Sequence, residues 1–170
     1  KDRYCSDMTR TFFCGEPEPE YAAIHDLVRE ANEKAEAMIR PGVRFCDIDR
    51  TAREHIEAGG YGPYFTHRLG HSIGLEDHEF GDVSSANTDT VKAGMTFSVE
   101  PGVYLPGRFG VRVEDLVLVT ENGCEILNHV EKRWKTVCPA RPAPAAAFRP
   151  AHQPPRTAQR RPSHAARNTS

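Results

Sequence analysis

The chain opens on alternating polar and apolar residues. In the stretch 4–13, Tyr-Cys-Ser-Asp-Met-Thr-Arg-Thr-Phe-Phe, the period of two predicts a strand. Side chains two apart then share a face, which sets Cys5, Asp7, Thr9 and Thr11 opposite Met8, Arg10 and Phe12. A helical period follows. Ile24, Leu27, Val28, Ala31, Ala35 and Met38 recur at three- and four-residue spacing and predict a long helix ending near Arg40. Acids crowd its start, where the helix dipole favours them, and Pro41-Gly42 stops it. Ile48, Ala52 and Ile56 predict a second helix over 47–58, closed by Gly59-Gly60. Both helices read as scaffold; His25 and His55 are expected to be solvated and are assigned no role.

The second half is strand-like. After a histidine-rich segment at 66–79 and a polar loop at 81–92, residues 95–104 read as a strand on which Ser98 and Glu100 share a face. Pro101 keeps Glu100 extended, and Gly102 turns the chain. Residues 109–118 form another, with Arg112 and Glu114 on one face and Val111 and Val113 on the other. Residues 116–119 and 125–127 flank Asn122-Gly123, a hairpin signal.

Composition changes the picture at the C-terminal end. From Pro139 onward there are six arginines and no acid; taking those six from the 22 basic residues leaves 16 against 24 acids in residues 1–138, a net charge of −8. The chain therefore divides into an acidic catalytic-sized domain, 1–138, and a Pro/Ala/Arg-rich tail, 139–170, which has no hydrophobic period and is expected to be disordered. Attraction to anionic partners and a reading-frame artefact both account for such a tail. An acidic body argues against nucleic acid as a partner. No apolar run is long enough to span a membrane, and no leader-like segment opens the chain. The five cysteines are odd in number and lack CxxC spacing, as expected of reduced thiols in a cytoplasmic protein. Lys1 falls inside what reads as a strand, so the chain is expected to be a fragment.

Candidate chemistry centres on residues 66–79, which hold His67, His71 and His78, with Gly70 and Gly74 flanking the central one. Glycine permits tight turns and close approach to a ligand, and imidazole is the commonest metal ligand. Taken alone, such histidines are as readily surface or core residues, and Asp7 as readily an edge charge against aggregation. Three acids placed mid-strand are harder to dismiss, because a charge there is costly to bury without a partner. Asp7, His71, Glu100 and Glu114 together offer an oxygen-rich set with one imidazole, suited to Mn²⁺, Co²⁺, Fe²⁺ or Zn²⁺. Three carboxylates suffice to bridge two cations, which can deprotonate a water and polarise a carbonyl.

The segments SDMTRTF (6–12), THRLGHSIGLEDHE (66–79), SVEPGVY (98–104) and GVRVEDLVLVT (110–120) resemble, in order and spacing, the Xaa-Pro dipeptidases and Xaa-Pro aminopeptidases, pita-bread metallopeptidases. The resemblance covers nearly all of 4–127. It implies an α+β fold, the C-terminal part of a pita-bread fold with a curved antiparallel sheet backed by helices. It also implies a pair of divalent metal ions, Mn²⁺ first and Co²⁺ or Zn²⁺ as alternatives, and a peptide substrate with proline at the second position. By resemblance Asp7 and Glu114 are the bridging carboxylates, His71 the imidazole ligand and Glu100 a single-metal ligand that also shuttles a proton. His67 and His78 are the histidines that bind substrate and stabilise the tetrahedral intermediate, and Arg112 helps to organise the site. A homodimer is compatible with the resemblance. A further aspartate ligand on the preceding strand, and a histidine upstream of it, have no match here; Asp2, five residues before Asp7, falls on the opposite face. Weak metal binding and little turnover are the expected consequence. The rival readings are a binding or scaffold module that has lost its metals, a metal-free amidinohydrolase and a methionine aminopeptidase. Retention of Asp7, His71, Glu100 and Glu114 counts against the first two, and the wording of SDMTRTF and GLEDHE against the third.

Overall fold

Two helices supply the scaffold against which short strands are laid. The computed structural model describes residues 2–137; the expectations about the tail and the boundary at 138/139 lie outside the described residues. In chain order the elements are β1 (Phe12–Phe13), α1 (Pro19–Met38), α2 (Phe45–Ala58), a 3₁₀ turn (Gly62–Tyr64), β2 (Gly70–His71), β3 (Asp82–Val83), β4 (Thr96–Val99), β5 (Gly102–Leu105), β6 (Phe109–Arg112), β7 (Asp115–Val119), β8 (Cys124–Ile126) and β9 (Lys135–Thr136).

Both helices follow the apolar period. Helix α1 starts with Pro19 in its first turn, where a missing N–H is harmless. Helix α2 ends as Gly59-Gly60 predicts: the Gly60 amide bonds the Glu57 carbonyl and the Tyr61 amide the Ile56 carbonyl, at 2.8 and 3.1 Å, with Gly60 at φ +86°. Ile24, Val28, Ala31 and Ala35 of α1 and Ile48, Ala52 and Ile56 of α2 are buried with Phe97, Val99, Val103, Val111, Val117 and Val119 from the strands. His25 corrects the expectation of a solvated residue. It lies on the inward face of α1, fully buried, and neither ring nitrogen hydrogen-bonds among the described residues. Burial lowers its pKa, so the ring sits there neutral. His55 keeps partial exposure and meets Glu30 at 3.2 Å. No helix among the described residues is long and apolar enough to cross a membrane.

The strands are shorter than their alternation predicts, because alternation reports faces and not neighbours. Antiparallel β3–β2 and β4–β7–β8 meet through a bridge between Ser72 and Phe97, while β5 and β6 form a separate hairpin. Residues 4–13 are not one strand. Thr9 bridges to Glu114, and Phe12-Phe13 then pair in parallel with Lys135-Thr136, so the segment changes partner within four residues. Residues 95–104 divide at Glu100-Pro101: the Glu100 amide donates to the Leu69 carbonyl at 2.7 Å, and Pro101 has no amide to continue the ladder. Residues 109–118 divide at Val113-Glu114, whose amides turn to Pro101 and Thr9. The hairpin after β7 forms where predicted, but neither Asn122 nor Gly123 has positive φ. Its loop closes instead by a 2.9 Å bond from the Thr120 amide to the Gly123 carbonyl and a bond from the Gly123 amide to the Thr120 hydroxyl.

Candidate metal centre

Glu100 and Glu114 occupy the two places where a strand changes neighbour. Each backbone is satisfied there by a crossing segment, so each side chain is directed into the junction of β4, β6, β2 and the Thr9 segment. Both are buried, at 7% and 1% exposure. His71 enters from β2, with its amide bonded to the Ser98 hydroxyl at 2.9 Å. Its Nδ1 faces the Ser72 carbonyl at 3.2 Å; a carbonyl only accepts, so Nδ1 is the donor there and Nε2 is the nitrogen turned to the acids. Nε2 lies 3.4 Å from Glu100 Oε1 and 3.8 Å from Asp7 Oδ2. One ligand atom from each of Asp7, His71 and Glu114 lies within 4.8 Å of the others. The four residues singled out in the sequence are therefore brought together from positions more than 100 residues apart.

The acids are held in fixed orientations. Glu100 Oε1 accepts from the Ser98 hydroxyl at 3.1 Å and Oε2 from Arg112 Nη1 at 3.3 Å. Glu114 Oε2 accepts from the Thr9 hydroxyl at 2.5 Å, and Arg112 Nε donates to that same hydroxyl at 2.9 Å. Two of the three carboxylates, those of Glu100 and Glu114, thus face one guanidinium, while Asp7 faces His71. Burial raises the Glu114 pKa, and Glu100 and Asp7 push it further up against the opposing Thr9 hydroxyl and Arg112. Three carboxylates and one imidazole nitrogen, with a single partly exposed guanidinium among them, form a donor set that fits divalent cations, because the acids outnumber the protein's own counter-charge there.

The two other histidines are placed differently. His67 Nδ1 donates to the Arg68 carbonyl at 2.7 Å, which leaves Nε2 to accept from the Tyr104 hydroxyl at 2.9 Å. Arg53 holds this corner: it donates to the His67 carbonyl at 3.0 Å and lies over the Phe65 ring, which meets His67 edge-on. His78 stands on an exposed loop with its ring centroid 4.1 Å from that of His71. Neither Gly70 nor Gly74 has positive φ: Gly70 lies in β2, and Gly74 opens a bend in which its amide bonds the Glu76 carbonyl at 3.1 Å. A Cβ on Gly70 would strike the Ser98 carbonyl, and one on Gly74 the Glu79 carboxylate. These glycines let the Ser98 backbone and the Glu79 carboxylate approach closely. Sequence reasoning left Thr9, Ser98 and Tyr104 without a role. Thr9 and Ser98 carried a signal, each sharing a face with a candidate ligand. Tyr104 carried none, because Pro101-Gly102 breaks the alternation that would have tied it to Glu100.

Residues 1–121 match metallopeptidase family M24. The chain belongs to that family, and its described residues form part of the pita-bread fold. Among relatives, a Staphylococcus saprophyticus protein described as an uncharacterized peptidase is 55% identical over 131 residues, covering 77% of this chain and 37% of its own. Among solved structures, X-Pro aminopeptidase from Thermotoga maritima superposes with a TM-score of 0.78 at 43% identity, over 80% of this chain and 39% of that one. Recombinant prolidase from Thermococcus sibiricus gives 0.78 at 40% identity, over 79% and 37%. The chain spans 37% of the length of the curated relative it matches.

Proposed function

We propose that this chain supplies the greater part of the centre of a metal-dependent peptidase that hydrolyses the Xaa-Pro bond in dipeptides or at peptide N-termini. The observation that carries the reading is the convergence of partly exposed Asp7 with buried His71, Glu100 and Glu114, short of positive charge, in a chain similar to X-Pro aminopeptidase and prolidase structures. Asp7, His71, Glu100 and Glu114 would hold a pair of divalent ions, and Mn²⁺ is the first choice. When bound, such a pair supplies Lewis acidity, lowering the pKa of a water and polarising the scissile carbonyl.

The chain's own groups do the rest. Glu100, fixed by Ser98 and Arg112, takes the proton of the attacking water and delivers it to the departing proline nitrogen, a task that requires hydrogen-bond reach to both. His67, whose Nε2 meets the Tyr104 hydroxyl, would bind the substrate, and His78, at the mouth over His71, would bind it and stabilise the charge that develops on the carbonyl oxygen. Arg112 ties Glu100 to Thr9 and, through Thr9, to Glu114.

The test is proline release from an Ala-Pro dipeptide with and without Mn²⁺. It is run on this chain and on the Thermotoga maritima X-Pro aminopeptidase carrying this chain's matching segment. Mn²⁺-dependent release that Glu114→Ala abolishes is expected, weaker in the isolated chain. Release that survives Glu114→Ala, or none in either protein, overturns the reading.

A further inference from the structure

Behind the candidate centre, on the reverse side of the Thr9–Glu114 bridge, lies a second buried cluster of charge that the proposed chemistry does not use. Successive residues leave an extended chain on opposite faces. Thr9 and Glu114 meet on the side of the candidate ligands, and Arg10 and Asp115 meet on the other at 2.6 Å, with 4% and 0% of their side chains exposed. The Arg10 guanidinium reaches three segments of chain. Nη1 donates to the carbonyls of Thr9 (3.0 Å) and Glu114 (2.7 Å), and Nη2 to Asp115 Oδ1 and the Val130 carbonyl (2.9 Å). Nε also reaches Val130 O, at 3.0 Å. Lys132 closes the cluster from the C-terminal side, 2.8 Å from Asp115 Oδ2 and in contact with Glu36 and Asn32 of α1.

We propose that Arg10 is a positioning residue for the metal centre: its fork holds the backbones of Thr9 and Glu114 in register, so that Asp7 on one segment and Glu114 on the other face a common point. This rests on the metal-site reading above. A single backbone bridge joins these two segments, which otherwise diverge to different partners, so their spacing is not set by a long ladder. A guanidinium presents donors in a rigid fork that spans several acceptors at once, which an ammonium on a flexible stem does not. Buried ion pairs contribute little net stability compared with apolar packing. A buried arginine with its donors spent on the two backbone carbonyls flanking a ligand pair is therefore better explained by geometry than by stability.

The experiment titrates Co²⁺ into the 170-residue chain and follows its d–d absorption, with near-UV circular dichroism of the metal-free protein reporting the folded fraction. Three proteins are compared with the unaltered chain. Glu114→Ala marks loss of the site. Arg10→Lys keeps one positive charge but cannot span both carbonyls. Arg10→Met combined with Asp115→Leu removes the pair without leaving an orphan charge. The unaltered chain should bind Co²⁺, and Glu114→Ala should abolish that binding. Arg10→Lys and the double variant should weaken it about 10–100-fold, as changes behind metal ligands do, with an altered band shape and an unchanged folded fraction. Equal affinity and spectrum in Arg10→Lys, or a loss no larger than the loss of folded protein, overturns the positioning role while leaving the site intact. No Co²⁺ binding by the unaltered chain, or binding indifferent to Glu114→Ala, overturns the site reading and this inference with it.

Discussion

Two groups of buried charge lie back to back across the Thr9–Glu114 bridge, and they are neutralised to different degrees. On one side Glu100 and Glu114 share Arg112, which is itself 42% exposed, and Asp7 faces His71. On the other, Arg10 and Lys132 face Asp115 and Glu36. The second group balances when Glu36 is ionised, with two cations against two acids, although Glu36 Oε1 has no hydrogen-bond partner among the described residues. The first group cannot balance by itself. Burial of charge is costly in both places, so a surplus retained in one and cancelled in the other is what supports the proposal of a cation site in the first. The contrast separates a candidate site from a structural network without appeal to residue type, since both contain acids, cations and strand positions.

The contrast breaks most visibly at Asp115. Removing one member of a matched buried set leaves its partners without compensation. Asp115→Ala strands Arg10 and takes from Lys132 one of its two acids. The variant should lose about 3–5 kcal/mol, read as a fall in urea midpoint at unchanged m-value. A loss within about 0.5 kcal/mol, the ordinary range of surface changes, would show that the network is not a closed set.

Glu36 sharpens the comparison through pH. Burial raises its pKa to about 7, with Lys132 pulling it down and Asp115 pushing it up. Its folded pKa stands above the unfolded value of about 4.5, so the folded state binds the extra proton between them. This contribution is fully present below pH 4.5 and is lost as pH rises through 7. At most it amounts to about 3 kcal/mol at about 1.4 kcal/mol per unit. Comparing unfolding free energies of the native chain and Glu36→Gln at pH 5 and pH 8 isolates the term, because the other titrating groups cancel. The native chain should lose more stability across that interval than the variant; parallel changes would place the proton elsewhere.

How much of this was legible in the sequence depends on what each feature asks of a neighbour. Helix positions were readable because a helix closes its own hydrogen bonds, and Gly59-Gly60 fixed the end of α2 by local geometry alone. The ligand acids were readable because a carboxylate in a strand context contradicts local preference and so asks for an explanation. The strands at 4–13, 95–104 and 109–118 read as longer than they are, since their breaks are imposed by crossing segments that alternation does not register. For the same reason the Arg10–Asp115–Lys132–Glu36 network was silent: its members come from four separate elements, and each has an unremarkable surface explanation in isolation. His25 misled because a helical histidine between an isoleucine and an aspartate looks solvated, while the packing of α1 against the strands places it inside.

The smallest effect expected is also the one whose sign distinguishes the two clusters. Glu114→Gln removes one negative charge from a group that has too many, keeps the shape of the side chain and retains an oxygen for the Thr9 hydroxyl. Without metal the variant should therefore be more stable than the native chain, by about 1 kcal/mol on the scale of a single relieved like-charge contact at an effective dielectric near 20 and a longer separation than direct contact. With Mn²⁺ the order should invert, because a cation bound by the native chain stabilises it in proportion to RT ln(1 + [L]/Kd), and the variant forfeits that term. Thermal unfolding of both proteins in chelator and in Mn²⁺ reads both signs in one experiment. A variant less stable than the native chain in chelator would mean that Glu114 already has its counter-charge in Arg112. The two sides of the bridge would then be alike, and the case for a cation between Asp7 and Glu114 would lose its electrostatic basis.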